Sequence, residues 1–350
     1  MPSPALSPLA RQLGLSIPLL LAPMAGVAGA DLAIAIARAG GLGAIAAATL
    51  TPSQLREEVA RFRGAIDAPL NLNFFAHRDV APTAAAVARW RAALQPLHAR
   101  LGLEVPAGVG AGRRPFDEAT AALIEALRPA VVSFHFGLPG AALLDRVRAT
   151  GALVLSSATT VAEARWLAGR GVDAVIAQGS EAGGHRGMFL ETDVAAQPGL
   201  AALLPAVVQA VDLPVIAAGG IADAQGMRAA LASGAAAVQA GTAFLRSPEA
   251  ATPPFHRRAL AEAAARGTCV TNVFTGRPAR GLVNALVEEL GPMSPDALPF
   301  PYAGSSLAAL HELDRRQGRG DYSPMWAGEA AGESRPDPAA TIARAIAGAD

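Results

Sequence analysis

Val172-Asp173-Ala174-Val175-Ile176-Ala177-Gln178-Gly179-Ser180-Glu181-Ala182-Gly183-Gly184-His185-Arg186-Gly187 begins as an apolar run and ends as a glycine loop. Val172 to Ile176 reads as a short buried β-strand. The loop leaving it carries an amide (Gln178), two adjacent glycines (Gly183 and Gly184) and an imidazole (His185). Glycines lack a Cβ and let the backbone approach a planar ligand closely. His185 gains or loses a proton near neutral pH. A ligand contact and a proton-transfer group on one loop after a buried strand point to an enzyme.

Working outward, the same unit repeats. Candidate strands are Leu19–Met24, Leu42–Ala47, Leu70–Phe75, Ala130–Phe136, Leu153–Ser157, Ala174–Gln178, Val215–Ala218 and Ala236–Ala240. Helical segments alternate with them: Ala30–Ala39, Pro52–Phe62, Thr83–Ala99, Asp117–Ala126, Ala141–Ala149, Val161–Arg170, Gly199–Ala210 and Ala224–Ser233. Short continuous apolar strands between helices mark a parallel sheet buried on both faces. Eight such units predict an α/β fold of the TIM (β/α)8 type, whose usual size is about 250 residues. We place the barrel at residues 1–246, a lid covering substrate at 247–327, and a mobile tail at 328–350 with a short helix at Ala339–Ala347.

Composition narrows the function. The chain has 350 residues, 52% hydrophobic and 17% charged, with 29 basic and 29 acidic side chains. All the basic ones are arginine, so Schiff-base and P-loop lysines are excluded, and the balanced charge gives no field for nucleic acid. Cys269 is the single cysteine, which precludes an internal disulfide and fits a cytoplasmic protein. The uncharged stretch from Gln12 to Ala30 is broken by Pro18 and Pro23 and reads as a barrel strand with its loop, not a membrane segment. Gly41-Leu42-Gly43-Ala44-Ile45-Ala46 mimics a dinucleotide fingerprint, but follows a helix and opens a strand, the reverse of that motif. No metal-ligand spacing and no nucleophile elbow are found.

Barrel active sites lie at the C-terminal strand ends. Those ends supply Ala22-Pro23-Met24, Asn73, His135, Gln178 with His185, Gly219-Gly220, and Gln239-Ala240-Gly241-Thr242. Glycine turns after the last two strands form an anion cradle of backbone N–H groups. A phosphate held there, with Gln178, Asn73 and the Met24 backbone around a ring, describes bound FMN.

These residues resemble the class I nitronate monooxygenases, formerly 2-nitropropane dioxygenases. The resemblance runs from Pro18 to about Gly328. It is carried by Ala22-Pro23-Met24-Ala25-Gly26, Asn71 to Phe75, the Gln178–Gly187 loop, both phosphate turns and Phe274-Thr275-Gly276-Arg277-Pro278-Ala279-Arg280. It implies an FMN-dependent barrel enzyme that oxidises alkyl nitronates, such as propionate 3-nitronate, with dioxygen to a carbonyl compound and nitrite. It makes His185 the catalytic residue. It assigns the cofactor to Asn73, Gln178, Gly183, Gly220 and Gln239 to Thr242, beside Ala22, Pro23, Met24, Gly184 and Gly219. His135, Tyr302 and Arg277 are the candidates to meet substrate; His135 also reads as a buried hydrogen-bonded residue, and Arg277 as a pin for the lid. The partners expected are a nitronate and dioxygen, on a monomer or homodimer. NAD(P)H-dependent flavin reductases of the enoyl or quinone type share much of the pattern and are the alternative.

Overall fold

The computed structural model describes residues 6–110 and 112–349. Residues 1–5 of the expected barrel and residue 350 of the expected tail lie outside the described residues. The strands are β1 (Leu19–Leu21), β2 (Gly43–Ala46), β3 (Leu70–Phe75), β4 (Val131–His135), β5 (Leu153–Ala158), β6 (Ala174–Gln178), β7 (Gly184–His185), β8 (Val215–Ala218), β9 (Ala237–Ala240), β10 (Thr268–Thr271) and β11 (Ala279–Leu282). All but β7, β10 and β11 form one sheet, ordered β1-β9-β8-β6-β5-β4-β3-β2. A parallel bridge from Leu20 to Leu42 joins the two outer strands, so the sheet closes into the expected barrel.

Alternation along the strands separates two cores. Leu72, Phe74, Val132, Phe134, Val154, Val175 and Val238 face the surrounding helices. Leu20, Val131, Leu155, Ile176, Ile216 and Ala237 face inward. The helix Pro8–Gln12 and the residues after it bring Leu9, Leu13 and Leu15 into the same inner cluster. One end of the barrel is therefore a dry plug. Stepping two residues further along the strands keeps the inward face but changes its chemistry, to Asn73, Ser133, Ser157, Gln178 and Gln239. This polar layer lies at the C-terminal strand ends, where the site is expected.

The cap differs from a simple 247–327 segment. Its core joins Val273, Phe274, Leu286, Leu298 and Leu307 to Trp90, Leu94 and Leu97 of the helix Ala84–Arg100. Trp90 Nε1 donates to the Ala303 carbonyl at 3.2 Å. The cap thus draws residues from inside the 1–246 stretch. A small antiparallel sheet, β10-β11-β7, ties it to the glycine loop.

The segment after Gly328, expected to be mobile, is instead packed. Its helix Ala339–Ala347 buries Ala339, Ile342, Ala343 and Ile346 against the helices Ala30–Arg38 and Ala224–Ala232. Burying each isoleucine is worth about 1.5–3 kcal/mol toward holding this short helix down. No helix among the described residues is long and apolar enough to cross a membrane.

Candidate active site

The turns after β8 and β9 have the form of an anion cradle. Gly219 and Gly220 adopt φ of +131° and +67°, open to glycine alone at low cost. Their amides, and that of Gly183, donate to no protein acceptor among the described residues. A Cβ on Gly219 would lie 3.2 Å from the Ala182 nitrogen, so this turn and the glycine loop are adjacent. Ala22 and Met24 stand beside Gly241, and the Ala22 amide donates to the Ala240 carbonyl at 2.8 Å. Gln239 Oε1 and Asn71 Oδ1 are buried without a partner. Asn73 gives its amide N–H to the Ser133 carbonyl and hydroxyl at 3.2 and 3.0 Å. Free amides at the glycine turn and the orphaned Gln239 oxygen, on a residue paired in register with Ala218, fit a ligand combining an anion with a hydrogen-bonding ring, as FMN does.

His185 is set by contacts on both sides. Its residue pairs with Ala279 in the β7–β11 ladder, and Gly184 pairs with Arg280. Its carbonyl accepts from Gln178 Nε2 at 3.0 Å and lies 3.1 Å from His135 Nε2. Gln178 Oε1 accepts from the Gly187 amide at 2.7 Å, so this one side chain braces both ends of the turn. His185 Nε2 lies 2.9 Å from Thr275 Oγ1, whose own hydroxyl can donate to the Arg277 carbonyl at 3.3 Å. In the tautomer where Thr275 donates to the Arg277 carbonyl, His185 Nε2 carries the proton and Nδ1 is the acceptor.

Aromatic rings surround this imidazole. Phe300, Trp326, Phe136 and Phe75 have centroids 5.5, 5.5, 5.8 and 6.1 Å from it. Phe136 adopts φ +72°, a conformation that costs a bulky side chain of order 1–3 kcal/mol and is typical of functional sites. Its ring supports the Arg277 guanidinium, 3.9 Å from the centroid. Burial first, then the charges of Arg113 and other neighbours, push the His185 pKa well below its ordinary value. The imidazole is therefore neutral at pH 7. Arg113 and Arg277 take no ion pair among the described residues, although Glu163 acts on Arg277 through space. Burial lowers the Arg277 pKa to about 10, which leaves it cationic.

Not every expected residue joins this group. His135 spends Nδ1 on Ser157 Oγ at 3.0 Å and Nε2 on the His185 carbonyl, so it supports the loop and has no ring nitrogen left for substrate. Tyr302 packs on the cap core and gives its hydroxyl to Asp79 Oδ1 at 2.5 Å, at the rim. Arg277 does reach the mouth. Thr275, Arg113, Arg186 and the Phe75–Phe136–Phe300 cluster carry no role in the sequence reading, although Thr275 and Arg186 sit inside its quoted motifs. An open groove of about 660 Å³ lies outside the mouth, between Arg78, Phe116, Trp166 and Arg170, and reaches the aromatic box only at His77. The site is defined by convergent strand ends, not by that open volume.

A closed parallel barrel whose C-terminal strand ends gather glycine turns and a buried histidine in an aromatic box has the form of a barrel enzyme. Residues 7–345 match the family described as nitronate monooxygenase. The chain is 40% identical to the nitronate monooxygenase of Paraburkholderia phytofirmans, over 94% of this chain and 91% of that one. It is also 40% identical to that of Pseudomonas aeruginosa, over 96% and 97%. Its fold matches a nitroalkane oxidase from Streptomyces ansochromogenes at a TM-score of 0.88, with 38% identity and 97% of each chain covered. FabK from Thermotoga maritima matches at 0.71 with 26% identity, over 98% and 95%. The chain belongs to the nitronate monooxygenase family, whose members are flavin-dependent oxidoreductases.

Proposed function

We propose that the enzyme uses FMN and dioxygen to convert alkyl nitronates, propionate 3-nitronate among them, into a carbonyl compound and nitrite. The observation that carries this reading is a neutral His185 set near Arg113 and Arg277, two cations that take no ion pair among the described residues. An anion is the natural occupant of such a mouth. FMN, when bound, supplies the electron acceptor. Asn73, Gln178, Gly183, Gly184, Gly219, Gly220, Gln239, Ala240, Gly241 and Thr242 would hold it, with Ala22, Pro23 and Met24 beside it.

The residues of the chain divide the remaining work. Arg277 offers fixed positive charge to the nitro oxygens, in a setting where water is excluded and such charge counts most. His185 Nδ1 can take the α-proton of a neutral nitroalkane; a nitronate arrives already deprotonated and needs no base. Phe75, Phe136, Phe300 and Trp326 keep water from the reacting carbon.

The test is dioxygen uptake and nitrite release by FMN-loaded protein given propionate 3-nitronate. Nitrite formation that requires both FMN and dioxygen is expected. Loaded protein that consumes no dioxygen with any nitronate, yet turns over NADPH with an enoyl thioester or quinone, would overturn the proposal.

A further inference from the structure

The glycine loop has a cation behind it. Arg186 is fully buried, at 0% exposure, and takes no ion pair among the described residues. Its guanidinium donates to five carbonyls instead. Nη1 reaches those of Gly179 and Ser180 at 3.0 and 3.2 Å. Nη2 reaches those of Ala182, Gly183 and Gly184, the last two at 3.5 and 3.2 Å. Burial lowers its pKa to about 9, so it is still charged at neutral pH.

Five carbonyl oxygens crowded on one side of a short loop repel one another unless a cation lies among them. The planar guanidinium meets that need with the four N–H donors of Nη1 and Nη2, its Nε finding no partner among the described residues, whereas a lysine is a point charge with three donors. Peptide groups whose oxygens turn inward present their N–H groups outward. The outward edge here includes the Gly183 amide, free of any protein acceptor among the described residues, and it adjoins the Gly219 turn.

We propose that Arg186 is a positioning residue for the cofactor: by gathering the carbonyls of residues 179–184 it holds their amide edge toward the flavin. This rests on the FMN reading above. The C-terminal end of the loop, residues 184–187, is fastened independently of Arg186 by the Gln178 side chain and by the β7–β11 ladder. The middle also has anchors of its own: Arg280 Nε on the Ser180 carbonyl at 2.9 Å, the Glu329 amide on the Glu181 carbonyl at 3.0 Å and the Leu200 amide on the Glu181 carboxylate at 2.9 Å. Loss of the guanidinium therefore loosens the loop without freeing it and leaves the barrel intact.

The test uses flavin-free protein, Arg186→Lys and Arg186→Ala, followed by amide hydrogen exchange and by FMN titration. In Arg186→Ala, exchange over residues 179–185 rises and the FMN Kd weakens, each about tenfold or more, a change of about 1.4 kcal/mol. Exchange in the barrel helices does not change. Arg186→Lys falls between parent and Arg186→Ala, and guanidinium ion added to Arg186→Ala recovers part of the lost affinity. Parent-like loop exchange and parent-like Kd in a folded variant overturn the assignment, and Arg186→Lys alone decides if the alanine variant does not fold. A parent that binds no FMN, while its loop exchange still depends on Arg186, removes the cofactor reading and supports the loop-shaping role.

Discussion

His185 Nε2 and Thr275 Oγ1 lie 2.9 Å apart, so the imidazole delivered by the barrel is oriented by the cap. The contact spans 90 residues of chain and makes the orientation of this histidine a joint product of both parts. Replacing His185 by asparagine is expected to leave FMN bound and to lower turnover of neutral nitroalkanes by about 10²–10⁴-fold, the usual worth of a positioned base. Nitronates should lose less. Thr275→Val removes the hydroxyl's bonds to His185 and to the Arg277 backbone. Loss of the bond to His185, worth about 1 kcal/mol, should lower the same rate by roughly fivefold. Steady-state kinetics on both substrate forms check the pair.

Arg277 is the cation resting on Phe136 at the mouth. Arg277→Met should lower kcat/KM for nitronates by about 10–100-fold, since a charge-assisted hydrogen bond is worth about 1.5–3 kcal/mol. Neutral nitroalkanes should be affected less. Equal losses for both forms would remove Arg277 from anion recognition.

Tyr302→Phe tests the correction at the rim. Its hydroxyl meets Asp79, not the histidine group. Turnover should stay within about twofold of the parent, and stability should change by less than about 1 kcal/mol, as for exposed polar contacts. A large loss of turnover would return Tyr302 to the substrate pocket.

Acid should unfold the protein through its histidines. Burial depresses the pKa of His135, His256 and His311 to about 4, and lowers those of His77 and His185. Between these values and the ordinary 6.5 the unfolded chain binds more protons than the native one. Stability is therefore fully present above pH 6.5 and is lost as pH falls toward 4. Melting temperature measured from pH 8 to pH 4 should be flat at first and then decline below about 6.5.

Ile342→Ala and Ile346→Ala probe the packed C-terminal helix. Each should cost about 2–5 kcal/mol in urea unfolding, as for other buried large-to-alanine changes. Negligible cost in both would restore the mobile-tail description.

The barrel was legible because parallel strands buried on both faces are written as continuous apolar runs, and each of the eight runs holds a strand. The glycine loop and the two glycine turns at the strand ends were legible because glycine at tight turns leaves a local mark. The cap was not, because its core joins Trp90 to Ala303 across 213 residues, and no local periodicity records such a contact. The tail misled through its Pro/Glu/Ala composition. Yet Ala339, Ile342, Ala343 and Ile346 stand at i, i+3, i+4 and i+7, the spacing of a buried helical stripe. His135 and Tyr302 have the right chemistry for substrate, and only their partners, Ser157 and Asp79, show that it is already used.

Nitronate oxidation is tested most directly by the flavin spectrum of anaerobic, FMN-loaded protein mixed separately with propionate 3-nitronate and with NADH or NADPH. The site described here predicts bleaching by the nitronate alone, with nitrite released when air is admitted. Bleaching by the nicotinamide, with none by the nitronate, would contradict it and make the enzyme a reductase.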